Sequence, residues 1–257
     1  MDIGFTGQKV LVTGGSRGIG HGVARAFAEA GAEVSILAQN DKVHEIAEVI
    51  AKESGQPVRS WQCDITDSKQ VRTVLQEVGT LDVLVANAGL ERRTPISDCS
   101  TQTEADFRRI IDINVIGTYL VTREAVKRME AGANIIITSS IWGKTAVADF
   151  SAYVASKHAN IGFMRTLARE LGPKDIRVNC VCPGWVKTDP SMQSLRELAA
   201  ERGESEAEVL KEISAAQCLP GLQTPEDVAS AYLFLASSLA KNITGQTLHV
   251  DRGEVFG

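Results

Sequence analysis

The sequence has no basic run and no long apolar one. Its 257 residues carry 27 Lys and Arg against 32 Asp and Glu, a net charge of −5, so no electrostatic feature favours a nucleic acid as partner. No segment approaches the ~20 apolar residues that cross a bilayer, and the opening Met-Asp-Ile-Gly-Phe-Thr lacks the basic start and apolar stretch of a secretion signal. The expectation is a cytoplasmic enzyme with no membrane partner. Cysteine is sparse: Cys63, Cys99, Cys180, Cys182 and Cys218 are scattered and odd in number, which is not a disulfide framework. Cys180 and Cys182 would share one face of a strand, but two thiols are too few to hold a metal. His21, His44, His158 and His249 show no metal-type spacing with each other or with the cysteines, so no metal site is expected. The thiols read as small buried hydrophobes.

What is present is ordinary in bulk, with 44% hydrophobic and 23% charged residues, enough for one large α/β domain over residues 1–257. Its most informative stretch is Ser151-Ala152-Tyr153-Val154-Ala155-Ser156-Lys157. On a helix, positions i and i+4 share a face, which brings the Lys157 ammonium near the Tyr153 phenol. A phenol with pKa near ~10 must drop by roughly three units to act as a base at neutral pH, about 4 kcal/mol. One ammonium at ~4 Å in an effective dielectric of ~20 supplies about that much, while burial of the phenolate opposes it. A second nearby cation would help.

Around this pair the chain alternates strand and helix. An apolar run at 9–13 is followed at once by Gly14-Gly15-Ser16-Arg17-Gly18-Ile19-Gly20 and a helical pattern at 23–30, the strand, glycine loop and helix context of a dinucleotide site. Backbone N–H groups of such a loop approach a pyrophosphate, and the helix adds its positive end. Further strands are predicted at 33–38, 58–62, 81–86, 133–138, 176–181 and 246–250, with helices at 42–54, 68–78, 103–129, 150–171 and 225–237. Asn114 and Gly117 interrupt the long helix at 103–129, and an Asn there reads as solvent-facing or backbone-bonding. Asn87-Ala88-Gly89 closes the fourth strand, where an α/β sheet binds ligands. Residues 184–222 break the alternation with two short amphipathic patterns, at 191–201 and 204–217, and read as a substrate-loop insertion. The predicted architecture is a doubly wound, Rossmann-type α/β fold with a parallel seven-stranded sheet and helices on both faces.

Thr13-Gly14-x-x-x-Gly18-x-Gly20, Asn87-Ala88-Gly89, Asn114, Ser140, Tyr153-x-x-x-Lys157 and Pro183-Gly184 stand in register over nearly the whole chain. In these residues the sequence resembles the short-chain dehydrogenase/reductase family, in its short single-domain branch. The resemblance implies Tyr153 as general acid/base, with Lys157 lowering its pKa and bonding the nicotinamide ribose. It implies Ser140 as the hydroxyl on the substrate oxygen and Asn114 as the anchor of a water in the proton relay, while hydride moves to or from C4 of the nicotinamide. Asp64 matches an adenine contact and Val186 and Thr188 contacts to the carboxamide. Ser16, Arg17, Ile19, Ile65 and the residues of the three glycine motifs complete the implied cofactor site. Two departures stand out. Asp251-Arg252-Gly253 replaces the frequent Asp-Gly-Gly after the last strand, which bears on oligomer contacts. Ala38-Gln39-Asn40 has no acid for the ribose hydroxyls, and Arg17 could pair a 2′-phosphate, so NADP(H) is favoured over NAD(H) although Gln39 or Asn40 could bond a bare ribose.

The substrate is less legible. Ile141, Trp142, Trp185, the loop after Gly89 and the insertion are candidates for the pocket wall, and Leu90-Glu91-Arg92-Arg93-Thr94 is too charged for an apolar pocket mouth. A small polar alcohol or ketone is expected, a polyol, sugar or hydroxy acid, with Arg92 or Arg93 binding an oxygen or carboxylate. The other reading of those arginines is a solvated charge cluster, and each Trp either covers the nicotinamide or fills core space. A 3-oxoacyl thioester reductase would use the same machinery and want a basic surface for an acidic carrier, and a non-catalytic dinucleotide sensor is a third reading. The family commonly associates, so a homodimer or homotetramer through the two long helices is expected.

Overall fold

The computed structural model describes residues 3–256. Strands β1 (Lys9–Thr13), β2 (Glu33–Ala38), β3 (Val58–Gln62), β4 (Val83–Ala86), β5 (Asn134–Thr138), β6 (Arg177–Pro183) and β7 (Thr247–Val250) form one sheet in the order β3-β2-β1-β4-β5-β6-β7. Every pairing is parallel, so each strand needs a crossover to reach the next. Helices α1 (Gly18–Glu29), α2 (Lys42–Ser54), α3 (Ser68–Val78), α4 (Thr101–Ile111), α5 (Thr118–Val126), α6 (Ser151–Leu171) and α9 (Pro225–Ala236) provide those crossovers, while α7 (Asp189–Arg202) and α8 (Glu206–Ala215) belong to the insertion.

The near-continuous apolar strands serve two cores, because successive side chains point to opposite faces. Val10 and Val12 of β1, Val83 and Val85 of β4 and Ile136 of β5 pack with Phe27 of α1, Ile50 of α2 and Tyr232 of α9. Leu11, Leu84, Ile135 and Ile137 face the other way, onto Leu75 of α3, Val121 of α5 and Met164 of α6. Cys180 and Cys182 lie together in this second core, buried and free, as their two-residue spacing requires. A small third cluster, Leu195, Ala199 and Val209, holds α7 and α8 together and packs against Trp185.

Strand order reverses beside β1, which continues outward to β2 and β3 on one side and is met by β4 on the other. The divergence of the two crossovers opens a crevice at the carboxyl ends of β1 and β4, the ligand position of open α/β sheets.

Two elements differ from expectation. Helix α1 starts at Gly18, so the later motif glycines form its first turns; a Cβ on Gly22 would come 2.7 Å from Pro225 Cβ, which is how α1 lies close on α9. The helix expected at 103–129 is two helices joined by a π-helical turn, Asp112–Gly117, containing both interrupting residues. Tertiary bonds of the Asn114 amide and the packing of Gly117 on Ile65, where a Cβ would meet Cδ1 at 2.6 Å, hold that wider turn.

At the C-terminal departure, Arg252 adopts φ 57, a left-handed conformation suited to glycine. Its carbonyl accepts the Cys218 and Leu219 amides, both at 3.0 Å, and its guanidinium donates to Pro220 O at 2.7 Å. The arginine thereby ties the end of the insertion to the last strand, in return for backbone strain of about 1 kcal/mol.

Phe27 is fully buried, with its ring edge-on to Phe5 at 4.9 Å between centroids. Phe27→Ala is expected to lower unfolding stability by about 3–5 kcal/mol. A urea titration should show a lower midpoint with unchanged slope; a shift under about 1 kcal/mol would mean that this face of the sheet is not the tight core described.

Candidate active site

The glycine loop is shaped by close approach. Gly14 has φ +70, and a Cβ there would stand 2.9 Å from Ala88 Cα; a Cβ on Gly20 would stand 2.2 Å from the Gly14 carbonyl oxygen. The loop is therefore pressed onto the end of β4. Thr13 Oγ1 accepts the Asn87 and Ala88 amides at 2.9 and 3.0 Å, while Asn87 Nδ2 donates to Thr13 O at 3.0 Å. Arg17 caps α1 without a side-chain bond to the first-turn amides, and that turn holds no acidic residue. The α1 terminus keeps its N–H groups and positive dipole end directed at the cleft, which fits a pyrophosphate.

At the outer end of the cleft, Asp64 joins β2 to the far helices. Its Oδ2 accepts from Gln39 Nε2 at 3.1 Å and from Arg109 Nη2 at 3.2 Å, and its Oδ1 from the Thr66 amide and hydroxyl at 2.9 and 2.7 Å. Burial pushes this carboxyl up, but the Thr66 bonds and the Arg109 guanidinium outweigh it and hold the group below its ordinary pKa. Asp64 is thus a fixed anionic acceptor beside the cleft.

The Tyr153 and Lys157 pair is delivered by α6. Ser151 and Ala152 anchor the helix start on Thr94: Ser151 Oγ donates to Thr94 O at 2.7 Å and the Ala152 amide to Thr94 Oγ1 at 3.0 Å. Lys157 is 3% exposed and donates from Nζ to Thr138 O at 2.9 Å, with Nζ 5.3 Å from the centre of the Tyr153 ring. Ser139 Oγ donates to Lys157 O at 2.9 Å, fastening β5 to α6 a second time. Ser140 follows on β5 and bonds the Tyr153 hydroxyl. Asn114 is fully buried; its Oδ1 accepts the Leu90 amide at 2.7 Å, and its Nδ2 donates to Leu90 O and Ser156 Oγ, both at 2.9 Å. The amide side chain therefore ties the loop after β4 to α6, settling the backbone-bonding side of the sequence reading.

Burial is the largest influence on both members of the pair. It pushes the Lys157 ammonium down to about 8, against the raising effects of Cys180 and Glu91. It pushes the Tyr153 phenol up, Glu91 adds to that, and the Ser140 bond opposes it. Lys157 Nζ stands 5.3 Å from the ring centre, and burial of the phenol outweighs the help a nearby ammonium gives to a phenolate. These groups by themselves keep the phenol protonated at neutral pH, ready to give a proton to a developing alkoxide.

A cleft of about 400 Å3 connects all these features. The site residues the sequence put forward line it, except Thr13, Gly20, Asn114, Arg92 and Arg93. Gly20 and Asn114 act one layer behind, through Gly14 and Leu90. Arg92 is placed apart from the substrate end: it is bonded to Asp106 and opens on a second cavity at the outer mouth. Arg93 is bonded to Glu201 of α7 and, at 2.7 Å, to Asp149 just before α6. The arginines form the charge cluster of the alternative reading. Trp142 stands edge-on to Tyr153 at 6.0 Å and tilted on Phe150 at 5.3 Å, while Trp185 bridges the cleft and the α7–α8 cluster.

Two charged lining residues were not singled out from the sequence, Arg109 and Glu91. Arg109 gave no signal beyond its place on a polar helix face. Glu91 was legible only as one charge among three, with attention drawn to its arginine neighbours; the fold turns its carboxyl inward and theirs outward. Among the described residues no cluster of His, Cys, Asp and Glu could hold a metal, and no helix is long and apolar enough to cross a membrane.

Comparison with known proteins agrees with this geometry. The family profile described as enoyl-(acyl carrier protein) reductase matches residues 14–254. A 3-oxoacyl-[acyl-carrier-protein] reductase from Chlamydia muridarum is 37% identical over 254 residues, 96% of each chain. A D-xylose 1-dehydrogenase from Caulobacter vibrioides is 36% identical over 249 residues, covering 96% of this chain and 95% of that one. The crystal structure of L-sorbose reductase from Gluconobacter frateurii, complexed with NADPH and L-sorbose, superposes with a TM-score of 0.92 at 28% identity and covers 100% of both chains. The chain belongs to the short-chain dehydrogenase/reductase family. It is an oxidoreductase of the NAD(P)-dependent kind that interconverts CH–OH and keto groups, which sets aside the non-catalytic sensor.

The lowered Lys157 pKa has a stability consequence. Between about pH 8 and the unfolded value of 10.5 the native state binds fewer protons than the unfolded chain, so this group's contribution becomes more favourable as pH rises through that window. Below pH 8 the full penalty of the buried ammonium applies, about 3 kcal/mol. Lys157→Met is expected to be more stable than the parent by about 1–3 kcal/mol at pH 7, allowing for the lost bond to Thr138 O, with the difference shrinking toward pH 10. Paired urea titrations at pH 7 and 9.5 read this directly; a destabilised variant at pH 7 would show that the ammonium is not desolvated.

Proposed function

We propose that this enzyme interconverts a secondary alcohol and a ketone on a small hydroxylated substrate, a polyol or sugar, with NADP(H) as the preferred cofactor. The observation that carries the substrate class is the internal neutralisation of the loop after β4. Arg92 is spent on Asp106, and Arg93 on Asp149 and Glu201, so neither offers a free guanidinium to a carboxylate or an acidic carrier protein. The hydroxy acid within the expected class loses its docking group by the same argument. What remains at the reacting end is hydrogen-bonding and aromatic: Ser140, Glu91, Trp142 and Trp185.

In this reading the carbonyl oxygen of the substrate accepts hydrogen bonds from Ser140 and Tyr153. The Tyr153 O–H then passes its proton to that oxygen as the carbon becomes tetrahedral, and the reverse transfer serves oxidation. The bound nicotinamide supplies or accepts the hydride. Lys157 holds positive charge beside the phenolate that forms, in a pocket dry enough to make that charge effective. The glycine loop, the α1 terminus, Asp64 with Ile65 and the segment from Pro183 to Thr188 hold the dinucleotide. Preference for the 2′-phosphate rests on Ala38-Gln39-Asn40, which line the cleft without an acid, and on Arg17 at its edge. The likeness to the sorbose reductase, solved with NADPH, supports the same choice.

A second reading, reduction of a 3-oxoacyl thioester, is favoured by one observation. The outer cavity of about 580 Å3 is lined by Arg17 and Arg196 as well as the paired arginines, and among the described residues these two form no ion pair. An anionic tail could lie there.

Tyr153→Phe is expected to lower kcat by at least a thousandfold while leaving NADPH affinity, read by fluorescence titration, within about threefold. With the parent, NADPH oxidation against a panel of ketoses, keto acids and a 3-oxoacyl thioester separates the readings. Turnover confined to the thioester would replace the first by the second. Homodimer or homotetramer formation belongs to the same proposal, since Phe107, Ile116 and Tyr119 leave an exposed apolar face along α4, the π turn and α5. Light scattering should give two or four times the chain mass, and a monomer at micromolar concentration would contradict it.

A further inference from the structure

Among the described residues, Glu91 is the one acidic side chain at the reacting end of the cleft, and it lines both that end and the outer cavity. Its position is set from two sides. The Asn114 amide grips the preceding residue, Leu90, through both backbone groups, and Arg93 is bonded to α7 and to Asp149 two residues further on. The loop between these anchors has little freedom, so the half-buried carboxyl is held in the cleft wall.

Its own partners are few. Ser194 of α7 donates to Oε1 at 3.4 Å, the outer limit of a hydrogen bond, and among the described residues Glu91 forms no ion pair although Arg17, Arg92, Arg93 and Arg196 line the same outer cavity. The cation that acts on it is Lys157, whose ammonium is already bonded to Thr138 O. A half-buried carboxyl with one weak bond keeps spare acceptor capacity toward the cleft. Here the open side of the carboxyl is the substrate space beside Tyr153 and Lys157.

We propose that Glu91 is the specificity-determining residue of this enzyme, accepting a hydrogen bond from a substrate hydroxyl on a carbon neighbouring the reacting one. This rests on the hydroxylated-substrate reading above and deepens it. A hydroxyl donating to a carboxylate forms one of the stronger neutral-to-ionic bonds and satisfies the side chain. An alkyl group in the same place leaves the carboxyl unpaired, and a substrate carboxylate meets like charge. Sites built to bond a hydroxyl reject analogues lacking it far more strongly than apolar pockets reject an added hydroxyl. The two tryptophans supply apolar faces for the carbon chain, and Glu91 supplies the polar discrimination.

The test compares parent, Glu91→Gln and Glu91→Leu with NADPH on matched ketones: hydroxyacetone against butanone, and a ketohexose against its 1-deoxy counterpart. The parent should prefer the hydroxylated member of each pair by at least a hundredfold in kcat/KM. Glu91→Leu should lose at least tenfold of that preference, mainly through a higher KM for the hydroxylated substrate, while its turnover of the deoxy ketone holds or rises. Glu91→Gln, which keeps an acceptor of nearly the same shape, should fall between them. A purely structural role would depress both members of each pair alike and leave their ratio unchanged, which overturns the assignment while leaving the hydroxylated-substrate reading intact. A parent that reduces neither hydroxylated ketone but does reduce a 3-oxoacyl thioester overturns both. Retained NADPH binding in each variant, by fluorescence, confirms that the ratios come from folded protein.

Discussion

The structure depends on a charge kept where charge is unfavourable. Lys157 holds an ammonium with almost no contact with water, bonded to the carbonyl of Thr138 where β5 runs out. Neighbouring residues are shaped to keep it there. A Cβ on Gly143 would strike Ser139 Oγ at 2.4 Å and the Lys157 carbonyl at 2.9 Å, so that turn admits only the smallest residue without displacement. Ser139 fixes the backbone of Lys157, and Thr138 passes its own hydroxyl to Tyr232 at 2.7 Å in the opposite core. Stability is given up at this point so that a cation stands beside a phenol in a medium where a few kcal/mol of electrostatics can be realised.

That arrangement explains why the fold was readable and parts of the site were not. The strands announce themselves because a parallel sheet covered on both faces needs apolar side chains in both directions, and the pattern Val-Leu-Val recurs in β1 and β4. The glycine loop is legible because backbone approach forbids a Cβ. Tyr153 and Lys157 are legible because a helix makes four residues of spacing into one face. The π turn at 112–117 is of another kind: it arises from tertiary bonds of Asn114 to Leu90 and Ser156, and no local propensity encodes them. The same holds for Arg109 and Glu91, each placed by the packing of an element onto a distant one. Charge alone suggested Arg92 as a ligand for substrate, but its true partner, Asp106, is on the next helix and became visible only when the chain was folded.

Sequence identity does not choose between substrates here. A carrier-thioester reductase and a pentose dehydrogenase stand at 37% and 36%, over nearly the same length. Each number is an average over the whole chain, in which the residues near a substrate are a small share. On the proposed reading, specificity lies in a smaller part of the chain, the loop after β4 and the insertion carrying α7 and α8.

In that smaller part the ion pairs do more than neutralise arginines. Glu201 of α7 and Asp149 before α6 meet on one guanidinium, Arg93, so a single side chain from the β4 loop links the insertion to the start of the catalytic helix. Exposed pairs of this kind add little stability one by one. Their shared centre instead fixes where α7 stands relative to Tyr153, and α7 brings Ser194 to Glu91 and Ser191 to the cleft. The charge cluster that looked like a ligand-binding site in the sequence is therefore better understood as the fastening that gives the substrate space its walls, with recognition left to the uncharged and acidic groups it positions.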